Sequence, residues 1–272
     1  HLPFDSRGLP VSMTDLRSDK AKFLRAFGSA EISSDTVSHC FLAQLNLSDT
    51  AGAAADYQFI LDQGRLALIS VQNRRQSPVL VDFFDRAFRH RLAAGLQGQL
   101  LGKALGLKNL RTPTVLDATA GLGTDSYLMA HAGCLVTAIE RSPAIFALLE
   151  DGLRRAMQAV GVQESGSAAA CRIEIRRGDF LLMDWPDNAY DVVYLDPMFP
   201  SDRRKASSGK EMTMLQNIAT EDQSESELLS QSLRCARRRV VVKRNRRSRE
   251  LAGMKPTLKF QGSSLRFDVY CR

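Results

Sequence analysis

The sequence predicts an α/β fold of the Rossmann-like kind. A mostly parallel, doubly wound sheet is expected over residues 107–272, preceded by a small α/β region at 1–106. Three observations predict it. From Thr112 onward, short apolar runs rich in β-branched residues alternate with segments of helical periodicity. The first such run, Thr114–Ala118, leads into a turn of small residues containing Gly121 and Gly123. Acidic residues, Glu140, Asp179 and Asp196, stand at the ends of the strands that follow, where open sheets of this class hold their ligands.

In chain order, residues 1 to about 35 read as a polar entry with a short helix near Lys20–Phe27. Because the chain begins at His1, its first dozen residues are read as a tag remnant or a processed leader, with Met13 a candidate start. Tyr57–Leu61 and Arg65–Val71 flank Asp62-Gln63-Gly64 as a hairpin, and Val79–Phe83 is a further strand. Arg86–Leu107 is expected to be helical, with breaks at Gly95, Gly98 and Gly102. After the Thr114–Ala118 strand, Asp125–Ala132 is a helix closed by Gly133, and Leu135–Ile139 is the next strand. Ser142 is placed to cap a helix with Pro143 in its first turn; Ile145, Leu149, Leu153, Met157 and Val160 mark its buried face, and Gly161 ends it. Arg172–Arg176 and Val192–Leu195 are strands, Glu225–Ala236 a helix and Val240–Lys243 a strand. Leu258–Phe260 and Arg266–Tyr270 complete the sheet.

Composition narrows the function. With 44% hydrophobic and 25% charged residues in 272, the chain is an ordinary globular one. It has neither a signal peptide pattern nor an apolar run near the ~20 residues of a membrane span. Five scattered cysteines (Cys40, Cys134, Cys171, Cys235, Cys271) and the absence of C-x-x-C argue for a reducing cytoplasm, against a disulfide framework and against structural zinc. Four histidines without ligand spacing add no metal site. A net charge of +7 suits a polyanionic partner. Arginine and lysine gather at Arg203, Arg204, Lys205 and Lys210, at Arg234 and Arg237–Arg239, and from Lys243 to Arg249. These runs are read as a phosphate-binding rim around the site, against the alternative of solvated surface.

Four places carry the chemistry. In Asp117-Ala118-Thr119-Ala120-Gly121-Leu122-Gly123 the glycines let backbone approach a ligand, and the helix that follows offers free N–H groups. The spacing is not the G-x-G-x-x-G of a dinucleotide site, and tight packing alone is the competing explanation. Glu140 follows Gly123 by 17 positions and can accept both hydroxyl protons of a ribose, with Arg141 beside it to stack on a base or pair with a carboxylate. Gly178-Asp179 is either a solvated turn or an acceptor for an adenine amino group. In Asp196-Pro197-Met198-Phe199, a carboxylate and a backbone carbonyl can accept the two N–H bonds of an exocyclic amine while an aromatic ring stacks on its base. Such an amine is a poor nucleophile, because its lone pair is delocalised into the ring, and orientation is what it needs.

At these places the sequence resembles the class I S-adenosylmethionine-dependent methyltransferases. Asp117 through Gly123 match their cofactor loop, with Thr119 where many members have the first glycine. Asp196–Phe199 is similar to the Asn/Asp-Pro-Pro-Tyr/Phe signature of amino-directed members, with Met198 replacing the second proline. Further matches at Gly133-Cys134, Leu148-Leu149-x-Asp151-Gly152-Leu153, Lys210-Glu211-Met212, Val240–Arg244 and Arg266-Phe267-Asp268 resemble the bacterial small-subunit ribosomal RNA guanine-N2 methyltransferases of the J type, over about Val81 to Tyr270. The resemblance implies a seven-stranded sheet, S-adenosylmethionine as cofactor and no metal. It implies cofactor contacts at Thr124, Asp125, Glu140, Arg141, Gly178, Asp179 and Asp196, besides the loop residues Asp117, Gly121 and Gly123. Thr124 stands where the family commonly has a basic residue, so its contact is expected from backbone. The implied reaction is methyl transfer to the N2 amine of one guanine in 16S ribosomal RNA, free or in the small subunit, with Asp196, Pro197 and Phe199 at the acceptor. DNA, protein or a small amine as acceptor stays open, as does a catalytically silent RNA-binding module.

Overall fold

Gln63 and Gly64, with φ of 51° and 76°, reverse the chain in the tight turn that suits two twisted antiparallel strands. They join β1 (Tyr57–Asp62) to β2 (Arg65–Ser70), paired from Asp62↔Arg65 to Tyr57↔Ser70. A short β3 (Val79–Leu80) pairs with β2 and ends three residues before the expected Phe83. The computed structural model describes residues 57–70, 76–109, 111–159, 168–197 and 224–272. The expected helix at Lys20–Phe27, Met13, the helix end at Val160–Gly161, Met198–Pro200 and the basic residues 203–210 lie outside the described residues.

The chain divides into two units, one to Val81 and one from Asp82. The expected helical stretch from Arg86 is two helices, α1 (Arg86–Ala93) and α2 (Leu100–Leu105). Asp85 caps α1 by accepting the Phe88 N–H at 2.8 Å. The chain breaks at Gly95, whereas Gly102 lies inside α2. A Cβ on Gly102 would sit 2.0 Å from the Leu96 carbonyl oxygen, so the glycine is there to let the preceding segment press on the helix. Both helices, counted with residues 1–106 from sequence, pack in the same unit as the large sheet. Phe83 stacks on Tyr127 at 4.1 Å, Phe88 meets that ring edge-on at 5.6 Å, and the Arg239 guanidinium donates to the Ala104 carbonyl at 3.1 Å.

The large sheet is built from β4 (Thr114–Asp117), β5 (Leu135–Glu140), β6 (Ile173–Arg177), β7 (Tyr190–Leu195), β8 (Ala236–Asn245), β9 (Leu258–Gln261) and β10 (Leu265–Cys271). Among the described residues its seven strands run in the order β6-β5-β4-β7-β8-β10-β9. Strands β4 to β8 pair in parallel, and β10 runs antiparallel to both β8 and β9. The helices are α3 (Thr124–His131), α4 (Pro143–Gln158) and α5 (Glu225–Cys235). The chain enters at β4, steps outward to β6 and returns to β7 on the other side, which puts the topological switch between β4 and β7. Leu228, Leu229 and Cys235 of α5 bury against Leu116, Val193, Leu195, Val240 and Val242. Each such aliphatic side chain contributes about 1.5–3 kcal/mol on burial, against about 1 kcal/mol for the Ser224 cap, so packing rather than capping holds α5 on the sheet. No helix among the described residues is long and apolar enough to cross a membrane.

Strand β8 begins at Ala236, directly after α5 and four residues before the expected Val240. Arginines at 237–239 hide this start, because the β-branched run begins only after them. Two of them find partners at the sheet margin, Arg237 with Asp191 at 3.0 Å and Arg239 with the Ala104 carbonyl.

Candidate active site

Strands β4 to β8 are parallel, so their C-terminal ends share one edge of the sheet. Asp117 ends β4, beside Ala138 and Tyr194, and is only 1% exposed. Its carboxylate accepts the Ser126 hydroxyl and, at 3.2 Å, the Thr119 N–H, tying the turn to the first part of α3. Burial pushes this carboxyl up to about 7, although both hydrogen bonds pull it down. Gly121 has a φ of 55° and faces open space where a Cβ would stand. Its N–H donates to Glu140 Oε2 at 2.9 Å, while Glu140 Oε1 accepts the Ser142 N–H at 2.7 Å. The acid at the end of β5 is thus locked against the β4–α3 turn. Burial raises its carboxyl above the ordinary value, opposed by those N–H groups and by Arg141. Gly123 serves packing: a Cβ there would lie 2.3 Å from Leu149 Cδ1 of α4. At the end of β6 the Gly178 N–H donates to the Glu140 carbonyl at 3.0 Å, and Asp179 accepts the Leu181 N–H at 2.9 Å.

A second group of side chains meets across the switch point. The Lys243 ammonium on β8 donates to Asp125 Oδ2 at 2.7 Å and to Asp196 Oδ2 at 2.8 Å. The Tyr194 hydroxyl donates to the same Asp125 oxygen at 2.6 Å, and Arg91 lies 3.6 Å from its other oxygen. The Asp196 N–H donates to the Thr119 hydroxyl at 2.6 Å. Burial alone would raise the Asp125 carboxyl, but the charge and hydrogen bond of Lys243, then Tyr194 and Arg91, hold it below the ordinary value. Burial alone would lower Lys243; Asp196 and Asp125 keep its ammonium above the ordinary value. Burial, then the charges of Asp125 and Asp196, push the Tyr194 hydroxyl well up.

The structure therefore brings Asp117, Gly121, Gly123, Thr124, Asp125, Glu140, Arg141, Gly178, Asp179, Asp196 and Pro197 to one sheet edge. Phe199 lies outside the described residues. The sequence places Lys243 with the basic rim and does not show its bridging place between Asp125 and Asp196. The available signal was a lysine directly after Val240-Val241-Val242, at the site end of a buried strand.

The basic runs need correction. Arg234, Arg237 and Arg238 lie at the opposite end of the sheet, since Ala236 precedes Lys243 by seven residues, roughly 23 Å along a strand. Arg234 also pairs with Asp187 at 2.7 Å, and Arg237 with Asp191. Arg244, at 4% exposure, is interior and donates to the Arg249 carbonyl at 3.0 Å. Among the described residues, Arg246, Arg247 and Arg249 remain exposed on the loop after β8, at the site edge.

The model of the SAM-dependent methyltransferase family matches residues 41–272. Ribosomal RNA small subunit methyltransferase J of Ectopseudomonas mendocina is 41% identical over 77% of this chain and 80% of its own length. The protein of that name from Marinobacter nauticus is 37% identical over 96% of each chain. Among solved structures, a SAM-dependent methyltransferase of Neisseria gonorrhoeae superposes with a TM-score of 0.61 at 30% identity, over 96% of this chain and 92% of that one. The chain belongs to the SAM-dependent methyltransferases, within the family of ribosomal RNA small subunit methyltransferase J.

Proposed function

We propose that this methyltransferase transfers the methyl group of S-adenosylmethionine to the N2 exocyclic amine of a specific guanine in 16S ribosomal RNA, in the cytoplasm. The observation that carries the reading is the Asp196–Pro197 turn. It stands beside the switch point, its carboxylate held by Lys243 and its backbone by Thr119, in a chain similar along most of its length to proteins named for small-subunit RNA methylation.

The residues present fit the cofactor. Open space at Gly121 adjoins Glu140, an acidic acceptor fixed by two backbone N–H groups, which suits a ribose with its two hydroxyls. Asp179 is assigned to the adenine amino group, with Gly178 giving backbone access. Arg141, Thr124, Asp125 and Asp117 are assigned to the methionyl end. When bound, S-adenosylmethionine supplies an electrophilic methyl on a sulfonium sulfur. The Asp196 carboxylate and the Pro197 carbonyl then accept the two N–H bonds of the guanine amine and hold its nitrogen in line with that methyl. Fixing a weak nucleophile in this way can account for several kcal/mol of the barrier. The part given to Phe199, stacking on the base, rests on sequence alone.

A paired guanine hides its amine in the minor groove, so the target must be unstacked, at a cost of about a few kcal/mol. Phosphate contacts from Arg246, Arg247 and Arg249, joined by Arg203, Arg204 and Lys205 from the sequence reading, offset that cost and make RNA affinity salt-dependent. Mass mapping of methylated ribosomal RNA from cells with and without the protein tests the reading. One N2-methylguanosine in 16S RNA should disappear with the protein. Loss of a methyl from adenine, DNA or protein instead, or from nothing, contradicts it.

A further inference from the structure

We propose that Lys243 is a positioning residue for methyl transfer, and that its ammonium holds the Asp196 carboxylate aimed at the acceptor amine. The inference rests on Asp196 being that amine's acceptor.

Three carboxylates crowd the switch point. Asp117 ends β4, Asp125 lies in the first turn of α3, and Asp196 follows β7. Asp117 feels the charge of the other two, and without a cation such a group relieves its repulsion by taking up protons or turning apart. Lys243 is the cation placed between two of them, at 2.7 Å from Asp125 and 2.8 Å from Asp196, with 27% of its side chain exposed. Arg91 approaches only Asp125, at 3.6 Å, and is half exposed. From β7, Tyr194 donates into the same cluster. From β10, the register sets Phe267 beside Lys243 and leaves Arg266 and Asp268 on the alternate face.

Two consequences follow for the reaction. The 2.8 Å ion pair restrains the Asp196 side chain, so its acceptor oxygens stay fixed where the amine needs them. The paired carboxylates in turn hold Lys243 protonated. Its nitrogen then has no lone pair, and a lysine at the site end of β8 does not compete with the RNA amine for the methyl.

The test is kcat and the KM for each substrate, for wild type, Lys243→Met, Lys243→Arg and Asp196→Ala. Lys243→Met should lower kcat about tenfold and leave both KM values near wild type, because aim rather than binding is lost. Lys243→Arg, which keeps the charge, should recover most of that loss. Should the methionine variant not fold, Lys243→Gln takes its place with the same expected loss. A neutral variant with wild-type kcat, a loss that lies in KM, or an arginine variant as slow as the methionine one overturns the proposal. Asp196→Ala should be inactive; a wild-type rate in that variant would instead sink the role of Asp196.

Discussion

Glu140 receives two backbone N–H bonds where β5 meets the glycine turn, so its effect on cofactor affinity is read on a variant whose fold is checked first by circular dichroism. Glu140→Ala should weaken S-adenosylmethionine binding by about 1.5–3 kcal/mol, the scale of hydrogen bonds to a charged group, as read by calorimetry. Wild-type affinity in the folded variant would remove Glu140 from the site. Asp117 makes a prediction about pH. Its carboxyl titrates near 7 when folded against an ordinary 3.8, so from about pH 4 to 7 the folded chain holds a proton that the unfolded chain has released. Folding therefore loses stability as pH rises through that window. Glu150, also pushed by burial to about 7, acts in the same direction. Asp125, held low, acts the other way, and its contribution is lost only as pH falls below the ordinary carboxylate range. Asp117→Asn should make the melting temperature of the cofactor-free protein fall less between about pH 5 and 7.5 than that of wild type. An unchanged slope would show that Asp117 is ionised throughout.

At the scale of elements, the loop after β8 is moulded around two interior guanidiniums. Arg266 pairs with Asp268 through two bonds of 2.9 Å and donates to the Arg246 and Ser248 carbonyls at 2.8 Å, while Arg244 donates to the Arg249 carbonyl. Removing one partner of a buried pair strands the other charge, so Arg266→Met should cost about 3–5 kcal/mol in denaturant unfolding. Changing the exposed Arg246, Arg247 and Arg249 together to Ala should barely alter stability. It should, however, reduce the slope of log RNA affinity against log salt by about two, for three lost phosphate contacts. An unchanged slope would place the RNA elsewhere. These contrasting roles were not visible in the sequence, where interior and exterior arginines stand side by side from Arg244 to Arg249. Strand pairing decides which side chains turn inward, and pairing with β10 is a long-range fact. The same holds for Lys243, whose two carboxylates come from α3 and from the turn after β7. By contrast β4, β5 and β7 were legible, because central strands of a parallel sheet read as near-continuous apolar runs. The turn at Gly121 and the strand-end acids were legible for a related reason: this topology sends every parallel strand's C-terminal end to one edge.

For the whole molecule, the central claim joins three things: a sheet whose switch point lies between β4 and β7, a cofactor cradle on the β4–β5–β6 side, and an amine acceptor after β7 beside Lys243. Cofactor and acceptor sites sit on different strands, so they are separable by mutation, which a silent RNA-binding module with the same fold would not reproduce. The most direct measurement is single-turnover transfer of labelled methyl from S-adenosylmethionine to small-subunit ribosomal RNA by wild type and Asp196→Ala, followed by nucleoside analysis. The account predicts label in N2-methylguanosine with wild type, and none with an Asp196→Ala protein that remains folded and still binds the cofactor. Label on another nucleoside, or a near-normal rate in the variant, would contradict it.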